Sequence, residues 1–313
     1  MTKKISIVTP CYNEEANVEE LHIQTKAVLD SLEGYDWEHI FIDNDSTDNT
    51  VKILREISQR DPKVKIIINT RNFGGVRSTY YGLLQAFGDA VILLFADLQD
   101  PPHLIDNFVR EWEKGYKVVQ GIKTSSEEST LFYLIRTLYY FFIGKVAEVK
   151  LTGHFTGFGL YDQEVIKLLR ELDDPYPYLR GIIAELGMKS SQISYRQKQR
   201  KRGISSNNIY RLYDYAMLGI TSHSKVPLRL ATILGFFMSV LTFIVGMGYL
   251  IAKLIFWNSF PLGTAPLTVG IFLISSMQLF FIGIIGEYIG LMHMRILKRP
   301  LVLERERINF SEK

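Results

Sequence analysis

The chain has 313 residues, with 36 Lys and Arg against 33 Asp and Glu, a net charge of +3 and a pI near 8.7. This length accommodates one sizeable α/β domain plus something smaller. The near-balance of charge leaves no basic stripe for nucleic acid, and the mild cationic excess suits a membrane surface better. Cys11 stands alone, which excludes an internal disulfide and a cysteine metal cluster; a lone thiol beside a strand end reads as a small packed residue. The opening MTKKISIVTP has no apolar stretch long enough for a secretory signal, so the first domain is expected to remain in the cytosol.

Residues 5–9, 39–43, 65–69 and 90–96 are almost continuously apolar, as parallel strands buried on both faces are. Between the first two, Val18, Leu21, Thr25, Val28, Leu29 and Leu32 recur at helical spacing as far as Gly34. A second helix is predicted after Ser46 as its N-cap, with Val51, Leu54 and Ile57 on the apolar face, and a third after Gly74–Gly75. Strand–helix alternation of this kind predicts an α/β fold: a mostly parallel, Rossmann-like sheet with helices on both faces. Ligands of such sheets sit beyond the carboxyl ends of the strands.

Residues 131–143 are apolar but short and contain Arg136, which suits an interfacial or buried helix. Residues 207–223 place Ile209, Leu212, Tyr213, Ala216, Met217 and Ile220 on one face, with Arg211 and Asp214 opposite. That pattern fits an interfacial helix or an ordinary amphipathic helix packed on the sheet. Residues 228–250, uncharged after Arg229, and residues 267–286, uncharged throughout, are each long enough to cross ~30 Å of hydrocarbon. The intervening WNSFPLGTAP has no Lys or Arg, whereas Lys225 and Arg229 flank the first stretch and Arg295, Lys298, Arg299, Arg305 and Arg307 follow the second. This asymmetry predicts an external loop and cytoplasmic termini. The expected division is 1–206 as a cytoplasmic α/β domain, 207–225 as an interfacial helix, 226–292 as two transmembrane helices, and 293–313 as a cytoplasmic tail.

Polar residues follow three of the strands: Pro10-Cys11-Tyr12-Asn13-Glu14, Asp43-Asn44-Asp45-Ser46-Thr47-Asp48 and Ala96-Asp97-Leu98-Gln99-Asp100-Pro101-Pro102. The topology brings all three to one rim. No GxGxxG follows the first strand and no GxxxxGK(S/T) is present, which argues against a dinucleotide site and a P-loop. Carboxylates at such a rim can accept from a base N–H and hold a hard divalent cation bridging phosphates. Asp45 and Ser46 are equally suited to capping the next helix, and Asp162 to capping or to facing the site. His103 and His154 are isolated and receive no metal.

With these motifs the chain resembles the family 2 glycosyltransferases, specifically the bacterial polyisoprenyl-phosphate hexosyltransferases of bactoprenol glucosyltransferase type, related to dolichol-phosphate mannose synthase. The resemblance covers nearly the whole chain: TPCYNE, DNDSTDNT where the family has DDGSxDxT, RNFGG, ADLQDPP, GFGLYD, an Arg-rich loop, two apolar spans, IGEYIG and KRP. It implies a GT-A fold with a two-helix membrane anchor at the plasma membrane. The implied reaction moves glucose, or another hexose, from UDP-glucose or a similar nucleotide-sugar to an undecaprenyl-type phosphate at the cytoplasmic face, with inversion. The implied partners are that donor, the polyisoprenyl phosphate, the lipid bilayer and further copies of the chain. The resemblance implies Mg²⁺ or Mn²⁺ on Asp97 and Gln99, and donor contacts from Pro10, Tyr12, Glu14, Asp43, Asn44, Asn72, Gly74, Asp97 and Gln99. It implies catalytic roles for Asp97, Asp100 and Arg200, and acceptor-phosphate contacts from Arg200, Arg202 and Ser205. Arg200, three residues before Gly203, matches the family arginine, while Arg196, Lys198, Lys201 and Arg202 suit anionic lipid headgroups as well.

There are departures from the family pattern. Phe95 stands where the first Asp of DxD is usual, Asn44 replaces the second Asp of DDGS, Gly159 follows Phe158 where Arg is common, and Ser206 replaces a frequent Lys. Two rival readings are a processive polysaccharide synthase and a non-catalytic nucleotide-sugar sensor. The first would need a QxxRW-like motif and more spans; Phe95 keeps the second open.

Overall fold

The computed structural model describes residues 2–125, 152–197, 217–219, 221–222, 224, 226–256, 264–297 and 299–310. The apolar runs become β1 (Lys3–Cys11), β2 (Tyr35–Asp43), β3 (Val64–Asn69) and β4 (Ala90–Leu93), all mutually parallel where they pair. Alternation along each strand sorts its side chains between two layers. Ile5, Ile7, Phe41, Ile66 and Ile68 face one core, with Leu21 of α1 (Val18–Asp30), Leu54 and Ile57 of α2 (Thr50–Arg60), and later Phe108. Val8, Ile40, Ile42 and Ile67 face the other, against Tyr80 and Leu83 of α3 (Gly75–Leu84). Truncating a fully buried aromatic such as Phe41 would cost about 3–5 kcal/mol.

Beyond β4 come α4 (Leu104–Glu113), β5 (Val118–Ser125), β6 (Phe155–Asp162), α5 (Gln163–Leu172), α6 (Leu179–Leu186) and β7 (Ser190–Arg196). Helix α4 joins the α1–α2 face, while α5 and α6 join the α3 face. Strand β6 runs antiparallel to both β4 and β5, and β7 runs parallel to β5. The parallel β1–β4 block thus carries a mixed extension. Gly159 has a local reason here: a Cβ at that position would lie 2.2 Å from the carbonyl oxygen of Val119, so no side chain fits between β6 and β5.

Two helices follow, α7 (Val226–Ile255) and α8 (Thr264–Ile296). Each is long and apolar enough to cross a membrane, and Phe236, Phe237 and Phe243 are 64%, 64% and 69% exposed. The Tyr288 hydroxyl of α8 donates to the carbonyl of Ser224 at 2.6 Å, tying α8 to the segment that enters α7. The expected helix at 131–143 and most of 207–223 lie outside the described residues; 217–219 and 221–222 are helical.

The C-terminal segment, expected as a separate tail, instead supplies β8 (Glu304–Ile308), antiparallel to β3. Among the described residues, eight strands form one sheet in the order β7-β5-β6-β4-β1-β2-β3-β8. Glu306 pairs with Arg55 of α2, Glu304 accepts from the Tyr81 hydroxyl at 2.7 Å, and the Asn309 amide donates to the carbonyls of Ser58 and Val64, both at 2.9 Å. The charged ERERI sequence suits an edge strand, where one side meets water.

Candidate active site

The loops after β1, β2 and β3 are laced together by short polar side chains. Asn13, in the left-handed region at φ 56°, accepts the Thr47 amide N–H at 2.8 Å through Oδ1, and its own N–H donates to Ser46 Oγ at 2.9 Å. Asn and Asp adopt this conformation more readily than other side chains. Asp43, buried at the end of β2, accepts the Ser46 amide N–H at 2.9 Å and the Ser46 hydroxyl as well. Burial raises its carboxyl above the ordinary value, and the Ser46 contacts oppose that rise. The Ser46 side chain is therefore spent on Asp43 and does not cap α2, which begins later, at Thr50. Asp48 takes the capping contact there, accepting the Thr50 N–H at 3.0 Å.

Asn44 joins the β2 loop to the RNFGG loop. Its Oδ1 accepts from Phe73 N–H at 3.0 Å and from Asn69 Nδ2 at 3.1 Å, and its Nδ2 donates to Asn72 Oδ1 at 2.9 Å. Asn72 Oδ1 also accepts the Gly74 N–H at 2.9 Å, and Gly74 itself sits at φ 86°, a conformation that favours glycine. An aspartate at 44 could not donate to Asn72. Glu14 is nearly buried and accepts from Asn17 Nδ2 at 2.6 Å, so it braces the turn into α1. Tyr12, by contrast, stands exposed at the rim. Pro10 pairs in register with Ile42. Cys11 is buried, and desolvation, reinforced by Asp43, Glu14 and Asp48, pushes its thiol well above the ordinary range; it is a packed, inert residue.

The fourth loop follows β4, which lies beside β1, and Leu94 N–H donates to the Val8 carbonyl at 3.0 Å. This puts the Asp97 loop on the same rim of the sheet as the loop after β1. Leu98 takes φ 57°, unusual for a branched apolar residue, in a turn where the Asp97 carboxylate accepts Gln99 N–H at 3.2 Å. Gln99 Oε1 accepts from Gln197 Nε2 at 3.2 Å. Asp100 is buried and accepts the Tyr195 hydroxyl from β7. Desolvation raises its carboxyl to about 6, with Lys123 and the Tyr195 hydrogen bond pulling down and Asp97 pushing up. Tyr195, Gln197 and Lys123 are not legible as site residues from the sequence, because β7 reads SSQISYR with only Tyr195 buried, and nothing in the sequence aligns β5 or β7 with the β4 loop.

Phe95 is partly buried against both cores and offers no ligand atom. Among the described residues no group of three His, Cys, Asp or Glu could hold a metal ion. Of the ligands expected from the sequence, Asp97 presents a carboxylate and Gln99 an amide oxygen. Hard oxygens in that number fit a Mg²⁺-like cation that draws its other ligands from substrate phosphates and water. Asp162 lies at the opposite end of β4, paired with Ala90, where it accepts Glu164 N–H at 3.0 Å and caps α5. It is not a site residue. Arg200, Arg202 and Ser205 lie outside the described residues, three to eight positions beyond Gln197.

Residues 6–169, just over half of the chain, match the family model described as glycosyl transferase family 2. The chain belongs to that family. It is therefore a glycosyltransferase, and the loops after β1, β2, β3 and β4 are its candidate donor site. It is 34% identical to the uncharacterized glycosyltransferase sll0501 of Synechocystis, over 97% of this chain and 95% of the relative. It is 33% identical to the bactoprenol glucosyl transferase of Shigella phage SfII, over 95% and 96%. Among solved structures it is similar to glucosyl-3-phosphoglycerate synthase from Mycobacterium tuberculosis in complex with UDP, at 19% identity over 70% of this chain and 78% of that one, with a TM-score of 0.46.

Proposed function

We propose that this glycosyltransferase moves a hexose, with UDP-glucose as donor, onto an undecaprenyl-type polyisoprenyl phosphate at the cytoplasmic membrane face. The observation that carries the reading is that one chain joins the carboxylate rim to α7 and α8, whose length and exposed apolar side chains suit a bilayer. A lipid acceptor offers its phosphate only at headgroup level, so an enzyme of this kind needs its rim held against the membrane. The names of the bactoprenol glucosyl transferase relatives support the lipid and the sugar.

In this reading the β1, β2 and β3 loops take the nucleoside and the Asp97 loop takes the diphosphate. Asp97 and Gln99 would hold a divalent cation, Mg²⁺ or Mn²⁺, which when bound would supply charge neutralisation at the leaving diphosphate. Gln197 orients the Gln99 amide, and the Tyr195–Asp100 pair fixes the loop against β7. Asp100 is thus a positioning residue. A phosphate monoester, with a second pKa near ~6, is already largely dianionic at neutral pH, so no strong general base is needed. Its oxygen bonds to the anomeric carbon as the bond to the diphosphate breaks, and the configuration inverts. Arg200, Arg202 and Ser205 are assigned to the acceptor phosphate. Arg200 follows Gln197, the residue that holds Gln99, by three positions in the sequence.

Incubation of the full chain in detergent with labelled UDP-glucose and undecaprenyl phosphate tests this. The expected product is a single labelled glycolipid that partitions into organic solvent. A growing polymer would establish a processive synthase, and no transfer across several donors and prenyl phosphates would leave a sensor. Arg200→Ala should raise the KM for the lipid and leave donor affinity nearly unchanged; a change confined to donor affinity would remove Arg200 from the acceptor site.

A further inference from the structure

Where α8 ends at Ile296, the chain turns back to the sheet beside the RNFGG loop. The Arg77 guanidinium of α3 donates to the Pro300 carbonyl, and it lies 5.5 Å from the centroid of the Phe73 ring. Arg71 stacks on the same ring at 4.0 Å, and Arg299 is the neighbour of Pro300. Two arginines therefore meet at one aromatic ring, and a third, Arg299, adjoins the carbonyl that one of them holds. Burial, Arg71 and Arg299 lower the Arg77 pKa, and among the described residues Tyr176 opposes them. Arg77 Nε is buried and meets no acceptor. Nearby Arg295 is 3.4 Å from Asp174 and so is already compensated. Arg71 and Arg299 are both exposed.

Gathered like charge of this kind is unfavourable unless an anion joins it, and guanidinium forks match phosphate oxygens in pairs. Arg299 follows the last residue of α8 by three positions, which puts it within ~10 Å of the helix end. If α8 crosses the bilayer, as the proposed function holds, that distance is headgroup level. We propose that Arg71, Arg77 and Arg299 bind the phosphate of an anionic membrane lipid and thereby seat the donor loop that contains Asn72 against the bilayer.

The test uses the full chain purified in detergent, with phosphatidylglycerol and phosphatidylcholine added in equal amounts and the retained lipid counted by native mass spectrometry. The wild-type chain is expected to retain phosphatidylglycerol preferentially. The Arg71→Gln/Arg299→Gln variant, altered only at exposed positions, should lose at least about tenfold of that preference. Arg77→Gln should do the same, and Arg110→Gln, at a surface arginine paired with Asp106 and Glu113 on α4, should change nothing. Farnesyl phosphate that displaces phosphatidylglycerol from the wild type alone would also support the site and would name a phosphate monoester as its occupant. Equal retention by the wild type and the double variant would overturn the proposal. So would displacement by inorganic phosphate or UDP at the same concentration, since either would show a site that does not require a lipid. Alkaline carbonate extraction of membranes separates the two ideas. Release of the chain would defeat the membrane reading itself, whereas an embedded chain without lipid preference would defeat only this site.

Discussion

Asn44 donates to Asn72 while accepting from Asn69 and Phe73, so its amide satisfies both kinds of partner at the junction of the β2 and β3 loops. Asn44→Asp removes the donor and sets a carboxylate oxygen against Asn72 Oδ1 in a nearly buried position. The expected result is a donor KM raised about tenfold with turnover largely preserved, since a lost buried hydrogen bond is worth about 1–3 kcal/mol. An unchanged KM would show that the RNFGG loop does not depend on this amide. Asp97 is a different case, because Phe95 leaves it as the carboxylate of the usual metal pair. Asp97→Ala should cost at least about a hundredfold in turnover, as loss of one charge-stabilising group typically does. Wild-type transfer should stop in excess chelator and return with Mg²⁺ or Mn²⁺. Full activity in chelator would remove the cation from the reaction, and a folded Asp97→Ala chain with normal turnover would remove Asp97 from its site.

At the scale of elements, β2 and α1 enclose a polar seam that the apolar pattern conceals. His39 Nε2 lies 2.9 Å from Thr9 Oγ1 and His39 Nδ1 lies 3.4 Å from His22 Nδ1; His22 Nε2 is 3.8 Å from Asp61. Burial lowers both imidazoles below 6.5; His22 adds to the effect on His39, while Asp61 opposes it at His22 against Lys26 and Arg60. The folded state therefore holds both rings neutral. Their contribution to stability is complete above pH ~6.5 and declines below it, as the unfolded chain takes up protons that the folded one refuses. Asp100, raised to about 6, acts in the opposite direction over part of the same range, so the comparison requires a variant. Between pH 7 and 5 the wild-type Tm should fall relative to that of His22→Gln/His39→Gln. Parallel pH profiles would show that the two rings do not titrate with unfolding. The legibility of other elements follows the same logic. Strands β1 to β4 announce themselves because they are buried on both faces. Strand β7 reads SSQISYR with only Tyr195 buried, and β8 reads ERERI, so neither carries an apolar signal. Ser46 has the composition of a cap, but Asp43, three residues earlier, offers it a stronger, charged partner.

For the whole molecule, β8 constrains how the chain can lie in a membrane. Strands β1 to β7 precede α7 and α8, and β8 follows them, yet all belong to one sheet. A sheet cannot be divided by a bilayer, so the chain must cross an even number of times between β7 and β8. Among the described residues, two helices of crossing length lie in that interval, and both or neither of them can span. The cationic residues Arg229, Arg295 and Arg299 lie at the ends nearest the sheet, whereas residues 257–266 contain no Lys or Arg. From that distribution we propose that the sheet faces the cytoplasm, with Phe260 and Gly263 outside. Single cysteines placed at Phe260, at Gly263 or near either terminus, in a Cys11→Ser background, can be probed with a membrane-impermeant thiol reagent. Intact cells should label the two loop positions and spare both termini, with the termini becoming reactive on permeabilisation. Labelling of the termini but not the loop would invert the orientation while keeping the hairpin. Labelling of one terminus alone would contradict the sheet itself, because β1 and β8 would then lie on opposite sides of the membrane.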